Sequence, residues 1–158
     1  MLKLPERRGK RPRTHIGLPH CQLEQNAPPA LFERLAERLL ATPDTEFGPS
    51  LVSVPGARAM FVPACRRCNT RFGFIRGREY AHLHPPEDGS MHLVLAPDDM
   101  AELLLRGWGE PHPLVGSGRI LPTVAMVYAP RDEVELETIC LIADASSANA
   151  RWCLDAPD

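Results

Sequence analysis

The chain has 158 residues, 44% of them hydrophobic, which is the length of one domain with enough apolar material for one core. Six of its 18 basic residues (Lys3, Arg7, Arg8, Lys10, Arg11, Arg13) crowd the first thirteen positions, so the net charge of -2 conceals an acidic body that repels phosphate and argues against nucleic acid as a partner. No run of about 18 apolar residues occurs and the N-terminus lacks a secretory pattern, which predicts a cytoplasmic protein with no membrane partner.

Residues 1–26 show no sustained periodicity and read as a basic, flexible arm. Residues 27–150 read as the folded domain, and 151–158 as a C-terminal tail. From Pro28, the positions Leu31, Leu35 and Leu39, flanked by Phe32, Ala36 and Leu40, recur every four residues and predict an amphipathic helix that Pro43 stops. Short apolar runs at 51–54 and 58–62, joined by Pro55-Gly56, predict a hairpin. Further strands are predicted at 71–75, 78–84 and 91–96.

Pro97, Asp98 and Asp99 then open a second helix, with carboxylates at the positive end of its dipole and Gly107 closing it. A last strand follows at 121–129. Pro130-Arg131-Asp132 launches a third helix, whose Leu136, Ile139, Cys140 and Ala143 face the core. Runs of strands followed by helices predict an α+β fold, a two-layer sandwich with a mostly antiparallel sheet and helices packed on one side.

Four of the six histidines fall within about thirty residues: His82, His84, His92 and His112. In a strand His82 and His84 share one face. Residues 85–90 turn the chain back, and any hairpin register whose paired numbers sum to an even value places His92 on that face too. Imidazole titrates near neutrality, so such a cluster can take a proton from an acidic carbon or hydroxyl and return it; three imidazoles on one face can equally ligate a metal.

Arg78-Glu79-Tyr80-Ala81-His82-Leu83-His84, Met91-His92-Leu93-Val94-Leu95, Gly107-Trp108-Gly109-Glu110-Pro111-His112-Pro113-Leu114 and Tyr128-Ala129-Pro130-Arg131 resemble, in order and spacing, the motifs of the fungal bioluminescence luciferase family and its bacterial relatives. Members of known activity add dioxygen to a hydroxylated hispidin, a polyphenolic pyrone, with light emission and without an organic cofactor. The resemblance implies an oxygenase-type or ligand-binding protein for an aromatic or enolic small molecule, with dioxygen as co-substrate. By position it implies His82, His84, His92, His112 and Arg131 as catalytic residues and Glu79, Trp108 and Tyr128 as substrate-binding ones. In that picture one of His82, His84 or His92 is the base, Arg131 or a protonated histidine is the electrostatic partner, and Trp108 with Tyr128 forms a flat wall. A weaker resemblance to YjbR-like double-wing proteins supports the α+β fold and an alternative role as a non-catalytic binding or interaction module.

The cysteines are odd in number, five, and predict free thiols. Cys65-Arg66-Arg67-Cys68 is half of a zinc site by spacing, which Cys21 with His20 or His15 could complete; two idle thiols is the plainer reading. The oligomeric state is not encoded in any motif.

Overall fold

The computed structural model describes residues 1–64 and 72–155, with side chains to residue 152. The elements are α1 (Pro29–Leu40), β1 (Glu46–Pro49), β2 (Arg58–Phe61), β3 (Glu79–Leu83), β4 (Met91–Val94), α2 (Pro97–Leu105), β5 (Gly109–Pro111), β6 (Val124–Val127) and α3 (Glu133–Asp155). The six strands form one antiparallel sheet in the order β1-β2-β3-β4-β6-β5, so the fold is α+β as the sequence predicts. Among the described residues no helix is long and apolar enough to cross a membrane.

α1 buries the predicted stripe, Leu31, Phe32, Leu35, Ala36 and Leu39, and contacts α3, which in turn packs on β3 and β4. Ala81, Leu83, Met91, Leu93, Ala125 and Val127 supply the sheet's contribution to this core. Asp132 caps α3 by accepting the Glu135 backbone N–H, while the Glu135 carboxylate accepts the Arg131 N–H, so two donors at the start of the helix are satisfied by its own side chains.

Strand alternation would put Tyr80 on the face of His82. A bulge prevents this: Phe61 pairs with Glu79 and Met60 with Ala81, leaving Tyr80 as the extra residue in β3. Tyr80 joins the hydrophobic core, and Glu79 reaches the side where His82 lies.

Four elements differ from the sequence expectation. The first strand is Glu46–Pro49, not 51–54, because Ser50 Oγ and the Leu51 N–H are drawn to the buried Glu79 carboxylate (2.7 Å each), which ends the ladder at Pro49. Residues 72–75 form no strand; the Ile75 N–H bonds the Glu79 carbonyl and the Glu79 N–H the Arg76 carbonyl, a tight turn. β5 is a strand of three residues with little β propensity, which no pattern announced. α3 runs through Trp152 to Asp155, past the expected tail boundary.

The N-terminal segment is also packed, contrary to the expected free arm. Leu4 is buried, and its N–H donates to Glu102; Arg7 N–H donates to the Arg106 carbonyl, and the Arg7 guanidinium is buried beside Glu135. Thr14 and Gln22 then bridge to make a small hairpin, and Gln22 accepts the Ala129 N–H. Few apolar residues are needed for this docking, because hydrogen bonds and ion pairs carry it, and hydropathy periodicity does not register such contacts.

Gly109 is where β5 meets β6 most tightly. A Cβ there would lie 2.1 Å from the Met126 carbonyl oxygen and 2.9 Å from Leu103 Cδ2. Backbone cannot yield as a flexible side chain can, so Gly109→Ala is expected to cost about 1–3 kcal/mol of stability. Urea denaturation measures this, and an unchanged midpoint contradicts the packing described.

Candidate functional site

The sheet face away from the main core carries a cavity of about 670 Å³ lined by His20, His82, His84, His92 and His112. His82 and His92 are directly paired across β3 and β4, the even-sum register that the hairpin argument requires. His84 follows β3, and the tight turn before Ser90 returns the chain with Asp88 folded back onto it. His112 enters from the end of β5, where its N–H bonds the Val124 carbonyl. His20 arrives on the N-terminal hairpin.

Carboxylates fix the outer nitrogens. His82 Nδ1–H donates to Glu79 Oε1 at 2.7 Å, and His84 Nδ1–H donates to Asp88 Oδ2 at 2.6 Å. Glu79 is fully buried and also takes the Ser50 hydroxyl and the Leu51 N–H, the donor set an acceptor-only carboxylate needs. Burial pushes the Asp88 carboxyl up, but His84 and the Ser90 donors more than offset this and hold it below the ordinary value. Glu110 behaves alike: burial raises it, and His20, Thr14 and Tyr128 bring it net down.

The inner nitrogens converge on His92. His82 Nε2 and His84 Nε2 each lie 3.1 Å from His92 Nδ1, and His92 Nε2 lies 2.9 Å from His20 Nδ1. His20 Nε2 closes the chain on Glu110 Oε1 at 2.8 Å. Burial and the four surrounding histidines hold His92 well below the usual imidazole value; burial lowers His82 against the pull of Glu79. His112, half-buried, is lowered to about 4 by desolvation and by His20, His82 and His84. Its Nδ1 accepts the Leu114 N–H, which directs the ring hydrogen of its neutral form to Nε2.

Two sets of three nitrogens are close enough to hold one metal ion: His82, His84 and His92, and His20, His92 and His112. The rest of the cavity wall is largely apolar, with Leu18, Val52, Val54, Ile75, Leu114 and Ile120, while Arg76 and Arg119 line it as exposed guanidiniums at its rim.

The structure thus brings His82, His84, His92 and His112 together and adds His20. Glu79 is placed behind His82, where it orients the ring and cannot touch a ligand. Three residues named from the resemblance lie elsewhere. Trp108 is buried with its indole N–H on the Pro5 carbonyl, and Tyr128 is buried beneath the Arg7 guanidinium with its hydroxyl on Glu110; neither forms a cavity wall. Arg131 is engaged by Glu135, Gln25 and the Arg8 carbonyl, so among the described residues Arg76 and Arg119 are the arginines that line the cavity.

Of the zinc set considered from the sequence, Cys65 and Cys68 lie outside the described residues. His20 bonds His92 and Glu110 instead of joining Cys21, whose thiol faces the Pro19 carbonyl, and His15 bonds that same carbonyl. Sequence reading also passed over Asp88 and Glu110; their positions beside the His-rich hairpin and in the Gly-Trp-Gly-Glu motif were the available signal.

Residues 77–146 match the Luciferase domain family. Luciferases of Armillaria ostoyae, Armillaria mellea and Neonothopanus nambi are each 44% identical over 71 residues, covering 44% of this chain and 27% of theirs. The match therefore spans about a quarter of the length of these curated relatives. No solved structure matches the chain. Glu79, His82, His84, Asp88, His92, Glu110 and His112 lie inside the matched segment, and His20 lies outside it.

The Glu79 carboxylate is the keystone of the hairpin. Glu79→Leu leaves Ser50, Leu51 and His82 donors without an acceptor, at about 1–3 kcal/mol for each that stays buried. Chemical denaturation is expected to show a loss of several kcal/mol with partial recovery in Glu79→Gln, and full stability in Glu79→Leu contradicts the network.

Proposed function

We propose that this chain, which carries a luciferase domain over residues 77–146, binds a small, flat, enolic or phenolic anion in the histidine-lined cavity and adds dioxygen to it. The observation that carries the reading is the convergence of five imidazoles on one cavity whose remaining wall is apolar. Such a cavity, apolar with a few convergent polar groups, is the usual form of a small-molecule site, and about 670 Å³ accommodates an aromatic molecule of two or three rings. The guanidiniums of Arg76 and Arg119 at the rim suit an anion.

The chemistry follows from the tautomers. Because Glu79 and Asp88 hold the Nδ1 hydrogens of His82 and His84, the Nε2 lone pairs of both rings face inward. A carboxylate behind an imidazole raises its basicity and fixes its orientation, the pairing used by general bases. One such pair takes the enol hydroxyl proton, and the electron-rich carbon of the enolate transfers electrons to dioxygen as a C–O bond forms. The proton passes to the terminal oxygen, so enol and dioxygen become a carbonyl with a hydroperoxide on the neighbouring carbon. His112, with its hydrogen on Nε2, is a donor available to the growing negative charge.

The test is oxygen uptake with hydroxypyrones and related enols under air, alongside equilibrium binding of the same compounds. Uptake of one dioxygen per substrate is expected, with a loss of about 100-fold or more in His84→Ala. Arg119→Gln is expected to weaken an anionic ligand by roughly fivefold, the scale of one partly solvated charge contact. Binding without oxygen uptake assigns the domain to ligand capture, and neither binding nor uptake removes the proposal.

A further inference from the structure

We propose that His82 Nε2, His84 Nε2 and His92 Nδ1 form a three-histidine site for one first-row divalent metal ion, open to the cavity for a fourth ligand. The inference rests on hydrogen accounting and geometry and survives if the oxygenase reading fails. A bound ion would occupy the His82 and His84 Nε2 lone pairs assigned above to the base, and would replace that base as the group stabilising an enolate oxygen. Glu79 and Asp88 occupy the Nδ1 hydrogens of His82 and His84, so two Nε2 lone pairs point at the same atom, His92 Nδ1, at 3.1 Å each.

Without a cation these atoms are in conflict. One hydrogen on His92 Nδ1 would have to serve both neighbours, and His92 Nε2 would then be an acceptor toward His20 Nδ1. His20 would have to donate from both nitrogens, to His92 and to Glu110. A metal ion at the centre removes the conflict with every ring neutral. His92 then carries its hydrogen on Nε2 and donates it to His20 Nδ1, and His20 Nε2–H donates to Glu110.

Each ligand ring thereby has a partner for its other nitrogen: Glu79 for His82, Asp88 for His84, and His20 backed by Glu110 for His92. This is the supporting arrangement that orients imidazole ligands in metal sites. The spacing also fits. Zinc–nitrogen bonds of about 2.0–2.1 Å in a tetrahedron put ligand nitrogens about 3.3 Å apart; the two separations to His92 Nδ1 are 3.1 Å, and all three nitrogens lie within 4.8 Å of one another.

The second set, His20, His92 and His112, fits less well. His112 Nδ1 already accepts the Leu114 N–H, which places the ring hydrogen on Nε2, the atom that would have to ligate. Three imidazole ligands suit zinc, cobalt, nickel, copper or iron. Since all three rings line the cavity, an anionic oxygen of a bound molecule can supply the next ligand from there.

The experiment uses the full chain without a histidine tag, with Cys21, Cys65 and Cys68 changed to Ser so that thiolates do not bind the probe. After chelator treatment and dialysis it is titrated with Co²⁺, and zinc content is measured separately by elemental analysis. One equivalent of each metal is expected, with the intense visible absorption of a low-coordinate cobalt site. His84→Ala and His92→Ala are expected to retain less than a tenth of an equivalent, while His112→Ala keeps a full one. Should the alanine variants fail to fold by circular dichroism, Asp88→Asn carries the test, with a loss of roughly 10–100-fold in affinity. Absence of stoichiometric binding in the parent chain overturns the proposal. So does unchanged affinity in Asp88→Asn, or loss in His112→Ala with retention in His84→Ala.

Discussion

Two buried carboxylates decide what the centre of this molecule can do. Glu79 and Asp88 each take the Nδ1 hydrogen of a neighbouring histidine and so point the other nitrogen of that ring inward. A buried carboxylate is costly unless every lone pair is used, and a buried imidazole likewise needs a partner at each nitrogen. The pairs satisfy each other on the outside and turn two Nε2 lone pairs inward, toward His92 Nδ1. Those inward lone pairs are what the proposed base, or the proposed metal ion, would use.

The backbone is arranged to make those pairs possible. The extra residue at Tyr80 sends that ring to the core and brings Glu79 to the side of His82. The turn at 85–89 is held by Asp88 and Gly89 N–H bonds to the Pro85 carbonyl, which brings Asp88 under His84. Gly109 lets β5 close against the Met126 carbonyl, positioning Glu110 behind His20 and His112 in the cavity wall. The N-terminal hairpin then lays His20 between His92 and Glu110, so a segment outside the luciferase-like stretch completes the network.

Much of this was readable in the chain. The four-residue repeat of α1, the carboxylates opening α2 and α3, and the alternation of His82 and His84 are local patterns, and local patterns encode faces reliably. The pairing of His92 with His82 followed from turn length and parity alone. What escaped was set by contacts distant in sequence. Residues 51–54 look like a strand because Val and Leu favour one, yet Glu79, some thirty positions away, claims the backbone beside them. In the sequence His20 groups with Cys21 as a possible zinc ligand and not with the other histidines, because its segment is anchored by hydrogen bonds and ion pairs, which leave no periodic trace. Trp108 and Tyr128 are aromatic and lie in specific motifs, but their polar ends are used to hold the Pro5 carbonyl and Glu110, so they build the scaffold of the site and not its wall.

The Luciferase domain match, residues 77–146, holds the two carboxylate–histidine pairs, His92, Glu110 and His112. Of the two guanidiniums at the cavity, Arg119 lies inside that stretch, while Arg76 and the N-terminal hairpin lie outside it. The arrangement is directly observable. Long-range ¹H–¹⁵N correlation spectra of the histidine side chains report which ring nitrogen carries hydrogen. The account predicts His82 and His84 as Nδ1–H tautomers with unprotonated Nε2, and spectra showing hydrogen on Nε2 of both rings would contradict it.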